Sequence, residues 1–137
     1  MGKHSIIVIK NNNKYLQYYD KSWDCFLFMN CKLDDVFSNN TIIDYVSKKL
    51  NIDKDEINCR LIGDKIHNKF SESAKKIKEY HHYFYEVIVN EKKLYKNDIF
   101  EINNVKYKWF SYDELENDKV IKKINGDIIS FVREYNL

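Results

Sequence analysis

Tyr107-Lys108-Trp109-Phe110-Ser111-Tyr112-Asp113-Glu114-Leu115 carries the reading of the fold. Residues 100–110 alternate apolar and polar side chains, the period of a half-buried strand, and the alternation stops at Ser111. Ser111 with Glu114 three positions on matches a capping box. In that motif the hydroxyl and the carboxylate each accept a hydrogen bond from a backbone N–H that the first turn of a helix leaves open. A single strand over 100–110 should therefore run directly into a helix. Behind it, Val120, Ile121, Ile124, Ile128, Phe131 and Val132 recur at helical spacing, so residues 120–135 close the chain as a further helix.

Upstream the dominant period is two. Ser5-Ile6-Ile7-Val8-Ile9 is β-branched, Asn11-Asn12-Asn13 supplies a turn, and Lys14-Tyr15-Leu16-Gln17-Tyr18-Tyr19 resumes, which predicts a hairpin. Residues 23–29 predict a third strand and 30–35 a loop. Over 40–51 the period becomes helical, with Ile42, Ile43, Val46 and Leu50 on one face and Asp44, Ser47, Lys48 and Lys49 on the other. Asn39 or Asn40 would cap that helix. Strands are expected at 57–66 and 80–89, joined by a polar, basic connection over 71–78, with a turn region at 91–98. The order β-β-β-α-β-β-β-α-α implies an α/β fold, a mixed sheet with helices packed on its faces.

At 137 residues the chain is one domain, 1–137, with room for a core that needs no metal or disulfide staple. A hydrophobic share of 44% excludes disorder, and no apolar run approaches the ~20 residues of a membrane helix. Lys+Arg 23 against Asp+Glu 21 leaves a charge of +2, too small for a protein that coats nucleic acid or anionic membrane, so neither partner is expected. With no proline and 3 glycines there is no Rossmann or P-loop phosphate fingerprint. Cys25, Cys31 and Cys59 lack the paired spacing of a zinc site, and Met1-Gly2-Lys3-His4-Ser5 opens no leader peptide, so a reducing cytoplasm is the expected compartment. The Lys, Asn and Ile usage has a bacterial or phage flavour.

Four segments share a common look: Trp23-Asp24-Cys25-Phe26-Leu27-Phe28 after the opening hairpin, the helix over 44–52, Tyr80-His81-His82-Tyr83-Phe84-Tyr85-Glu86-Val87, and the junction from Tyr107 to Leu115. Together they resemble the Nudix superfamily over nearly the whole chain. The resemblance implies a Nudix-like α/β/α sandwich around a central mixed β-sheet.

The catalytic signature of that family departs from this sequence. The Nudix box reads G-x5-E-x7-R-E-U-x-E-E-x-G-U, with U a bulky aliphatic, and its glutamates hold the magnesium that activates water against a diphosphate. With the box ending at Asn51-Ile52, its opening glycine falls on Asn30, its first glutamate on Val36, its arginine and the next glutamate on Asp44 and Tyr45, and its central glutamate pair on Lys48 and Lys49. Only the aliphatic positions Val46 and Ile52 agree, and no glutamate lies anywhere between Met1 and Asp55. A hard cation needs oxygen ligands, and neighbouring ammonium groups repel it.

The resemblance and the degenerate box together imply a catalytically inactive domain that binds a nucleotide or nucleotide-derived ligand, second messengers included. No catalytic residue, metal ligand or cofactor is expected. The expected cleft lies between residues 30–35 and the strand over 80–86. Its candidate contacts are Trp23 and Phe28, Lys48 and Lys49 as phosphate partners where a metal would otherwise sit, and Tyr80, His82, Phe84 and Glu86, which share one strand face. Aromatic faces stack on bases, and His or Glu can read their polar edges. His81 and His82 are adjacent, so they point to opposite faces and cannot share a metal. Ser71, Ser73, Lys75, Lys76 and Lys78 read either as a solvated connection or as a phosphate contact. Two other functions stay open. One is a magnesium-dependent hydrolase of nucleoside diphosphate derivatives built on displaced carboxylates, Asp34, Asp35, Asp44, Glu79 or Glu86. The other is a protein-interaction module with a filled cleft. The oligomeric state is equally open, a homodimer included.

Overall fold

The computed structural model describes residues 2–33, 38–71 and 75–137, and the side chains of residues 3–33, 38–68 and 75–137 within them. Expectations that concern Asp34, Asp35, Val36 and Ser73 lie outside the described residues. The opening hairpin is β1 (Gly2–Asn11) and β2 (Lys14–Asp20), turned by Asn12 and Asn13 at φ 48° and 65°. Asparagine tolerates this left-handed region better than other residues with a Cβ, which is why an all-asparagine turn needs no glycine.

β3 (Cys25–Lys32) then pairs with both β1 and β2. It begins after Trp23 and continues through Asn30, Cys31 and Lys32, so these three belong to the strand and not to the expected loop. α1 (Asn39–Leu50) matches the expected helix, with Ile42, Val46 and Leu50 buried and Ile43 packed at the margin of the core. Its N-cap is Ser38 and not an asparagine: the Ser38 N–H donates to Thr41 Oγ1 at 3.2 Å. Asn51 ends the helix at φ 54°, taking a left-handed position that usually goes to glycine.

β4 (Ile57–Ser71) and β5 (Lys76–Val89) are longer than expected, and they absorb Ser71, Lys76 and Lys78 from the predicted connection. Residues 100–110 form two strands, not one. β6 (Ile99–Ile102) and β7 (Val105–Ser111) are joined by Asn103 and Asn104 at φ 52° and 65°. The apolar positions shift across this two-residue turn from 100 and 102 to 105, 107 and 109, a slip of one residue that a single continuous strand cannot absorb without turning its side chains to the other face. α2 (Tyr112–Asn117) opens with the expected capping box: the Glu114 N–H donates to Ser111 Oγ and the Ser111 N–H to Glu114 Oε1, each at 3.1 Å. Ser111→Ala should cost about 1 kcal/mol, read as a lower urea midpoint at unchanged slope. α3 (Lys119–Glu134) completes the chain, with a kink at Asn125. Val120 lies on the exposed side of α3, and Ile129, outside the expected stripe, is buried.

The seven strands form one sheet in the order β4-β5-β1-β3-β2-β7-β6, mixed because β1 and β5 run parallel while the other neighbours are antiparallel. Both faces are covered, which explains why β1 is apolar at consecutive positions. Ile7 and Ile9 point into a core shared with α1, Tyr85, Tyr107 and Trp109. Ile6 and Val8 point into a second core with Phe28, Phe84, Phe110, Leu115 and the Ile128, Phe131 and Val132 stripe of α3. The arrangement is the α/β/α sandwich with a central mixed sheet. No helix among the described residues is long and apolar enough to cross a membrane.

Candidate functional site

The end of β2, the following turn, β3, α1 and the β6–β7 hairpin enclose a cleft of about 640 Å³. Its walls are Tyr18, Tyr19, Asp20, Lys21, Ser22, Phe26, Met29, Tyr45, Lys49, Glu101, Asn104, Val105, Lys106 and Tyr107. Local structure accounts for the convergence. Tyr18 and Tyr107 are direct partners across the β2–β7 ladder, and Tyr45 and Lys49 sit one turn apart on α1, where four-residue spacing puts side chains on one face. The Lys49 ammonium lies 5.7 Å from the Tyr45 ring centroid, within cation–π range.

The hydroxyls of this aromatic wall are turned into the protein. Tyr45 donates to the Asn30 carbonyl at 2.8 Å, Asn30 Nδ2 donates to the Tyr18 hydroxyl at 3.2 Å, and Tyr18 donates to Asp20 Oδ2 at 2.6 Å. Tyr107 donates to the Lys49 carbonyl at 3.4 Å. Each bond anchors a ring at its hydroxyl end; Tyr107 is buried and stacked on Phe100 with centroids 5.4 Å apart, so it backs the cleft, while Tyr18 and Tyr45 are half-buried. Burial pushes the Tyr45 and Tyr107 phenols up to about 12, and burial together with the Asp20 hydrogen bond raises Tyr18 as well.

Those shifts carry a pH expectation. A phenol raised in the folded state keeps its proton between pH 10 and about 12 while the unfolded chain loses it, so stability falls as pH rises through that window and is full below it. The melting temperature should decline across that range, and the decline should flatten in Tyr45→Phe.

Among the described residues, the donor set does not fit the magnesium that the family resemblance brings with it. The α1 positions carry Tyr45, Lys48 and Lys49, and the Asp44 carboxylate is taken by Lys54 Nζ at 2.7 Å, which holds it below the usual carboxylate range. Of the two carboxylates on the cleft wall among the described residues, Asp20 is committed to its own turn: Oδ1 accepts from the N–H groups of Ser22 and Trp23, and Oδ2 from Tyr18. Glu101 alone does not make an oxygen cage.

Of the described residues singled out from sequence, only Lys49 lines this cleft. Lys48 is exposed one position around the helix, and Trp23 is 56% exposed in the turn before β3. Phe28 is buried in the α3-side core, edge-on to Tyr15. Tyr80, His82, Phe84 and Glu86 do share a face, as expected, but it is the α3 face. The parallel register sets this, because Ile6 pairs with Phe84 and Val8 with Glu86, and those β1 residues point away from α1. Phe84 is stacked under Phe131 with centroids 3.6 Å apart, and Glu86 accepts from Arg60 at 3.0 Å. The expectation that this strand face borders the cleft is therefore corrected. Tyr18, Tyr45, Tyr107, Lys21 and Lys106 were missed; the one local signal for them was the Tyr45–Lys49 spacing.

No protein-family profile matches the sequence, and no curated protein does. Solved structures match closely in shape. The Ap4A hydrolase of C. elegans superposes with a TM-score of 0.61 at 13% identity, covering 99% of this chain and 96% of that one. The E. coli dihydroneopterin triphosphate pyrophosphohydrolase gives 0.61 at 12% identity, with 88% and 92% covered. A NUDIX-family hydrolase from Clostridium perfringens gives 0.57 at 15%, with 98% and 94% covered. The chain has the Nudix hydrolase fold.

Proposed function

We propose that the chain binds a nucleotide or nucleotide-derived ligand in the cleft beside α1 and does not hydrolyse it by magnesium chemistry. The observation that carries this reading is the meeting of the half-buried Tyr18 and Tyr45, backed by the buried Tyr107, with Lys21, Lys49 and Lys106 in one cavity. Aromatic faces take a base, stacking contributing on the order of 1–3 kcal/mol, and ammonium groups take phosphate oxygens about as strongly. A cleft of about 640 Å³ lies in the ordinary range for small-molecule sites, which favours a ligand over a filled cleft. Of the carboxylates considered for a displaced hydrolytic site, Asp44 is engaged with Lys54, and Glu86 with Arg60 on the opposite face. Neighbours in shape are named for hydrolysing Ap4A and dihydroneopterin triphosphate, which is consistent with a nucleotide-like ligand here. Cys25, Cys31 and Cys59 are free thiols, in keeping with the reducing cytoplasm we assign.

A thermal-shift panel of nucleoside phosphates, dinucleoside polyphosphates and cyclic oligonucleotides, each with and without magnesium, tests the reading. A ligand at a hundred times its dissociation constant stabilises by about 2.7 kcal/mol, independently of magnesium. A panel without a shift would favour the protein-interaction alternative.

A further inference from the structure

We propose that His67, His82 and Asp127 form a site for a zinc-class divalent ion on the α3 face of the sheet, separate from the cleft. The β4–β5 register places Tyr80 opposite His67 and Lys65 opposite His82, which makes the two histidines diagonal neighbours on one face, with ring centroids 5.1 Å apart. α3 lies across this face. Phe131 stacks on Phe84, and Asp127, one helical turn earlier, puts Oδ2 3.3 Å from His67 Nδ1. A helical turn rises about 5.4 Å and two strand residues about 6.6 Å, so successive turns of α3 meet successive rungs of β5.

The helix is bent where this happens. Asn125 leaves helical geometry at φ −119°, ψ 20°, and Asp127 Oδ1 then accepts from the Ile128 N–H at 3.0 Å as the helix resumes. One oxygen of Asp127 thus orients the carboxylate while the other faces the histidines. A ligand atom from each of the three residues lies within 4.8 Å of the others, and among the described residues no other group of three such side chains converges in this way. Tetrahedral zinc spaces its donors about 3.4 Å apart, within reach of small side-chain rotations. His82 is 7% exposed and the His67 side chain 9%, and the Asp127 side chain, at 25%, reaches the surface while its Oδ2 is buried. Two imidazoles and one carboxylate suit zinc or cobalt, with a water as fourth ligand, and not magnesium, which demands an oxygen octahedron.

Calorimetric titration of the full chain with zinc chloride, with the visible spectrum of cobalt(II) as a second readout, tests the site. Expected are one ion per chain and the intense bands of four-coordinate cobalt. Asp127→Asn and His82→Ala should each weaken zinc binding by at least about 100-fold, since changes one shell further out already cost 10–100-fold. His81→Ala, on the other face, and Cys31→Ser should leave it unchanged. Should His82→Ala fail to fold, Asp127→Asn decides, because its amide oxygen can still accept from the Ile128 N–H. Absence of saturable binding, the pale spectrum of hydrated cobalt, or affinity that survives Asp127→Asn overturns the proposal.

Discussion

Trp109→Ala should cost about 3–5 kcal/mol, the usual range for truncating a large buried aromatic. Trp109 is 4% exposed and stands on β7 opposite Leu16, in the core that α1 closes. Its Nε1–H donates to the Leu94 carbonyl at 3.1 Å, and its ring lies 5.6 Å from that of Tyr95, so one side chain ties the strand to the short helical turn before β6. Its backbone N–H also reaches the Asp98 carbonyl at 2.9 Å, a bond the substitution keeps. Domains of this size are stable by about 5–15 kcal/mol, so the loss is a large fraction of the total. Trp109→Phe separates the contributions: it retains most of the packing but strands the Leu94 carbonyl, at about 1–3 kcal/mol. Unchanged melting in Trp109→Ala would mean that β7 does not close the core as described.

Lys49→Glu should weaken nucleotide binding by a factor of about 10–100 or more. A charge-assisted hydrogen bond contributes about 1.5–3 kcal/mol, each 1.4 kcal/mol is tenfold, and the new carboxylate adds repulsion. Folding should be nearly untouched, because the Lys49 side chain is exposed and the bond from Tyr107 goes to its main-chain carbonyl. Lys48→Glu is the control. It changes the charge of the same helical turn, but Lys48 does not line the cleft, so it should have a much smaller effect. His82→Ala should leave nucleotide affinity unchanged, because His82 lies on the α3 face.

The contrast between Lys48 and Lys49 shows how far sequence reading reaches. α1 could be read because Ile42, Val46 and Leu50 repeat at helical spacing, and the strand-to-helix junction because a capping box is a local pattern. The β6–β7 turn is easy to pass over because Asn103 and Asn104 adopt left-handed backbone without glycine, and its one sequence mark is a one-residue slip of the apolar positions from 100 and 102 to 105, 107 and 109. The face of β5 was undetermined for a different reason. Alternation says that Tyr80, His82, Phe84 and Glu86 share a side, but which side depends on the parallel pairing with β1, a non-local fact. The cleft is similarly non-local: Tyr18, Tyr45 and Tyr107 come from a strand, a helix and a hairpin, and only the cross-strand register and the packing of α1 bring them together.

Calorimetric titration with diadenosine tetraphosphate and with the strongest ligand of the thermal-shift panel, in chelator and again in magnesium, followed by chromatography of the recovered nucleotide, tests the central claim most directly. Binding should be as tight in chelator as in magnesium, weaker in Lys49→Glu, and the nucleotide should be recovered intact. Turnover that rises with magnesium and vanishes with chelator would contradict it, as would binding that requires the metal.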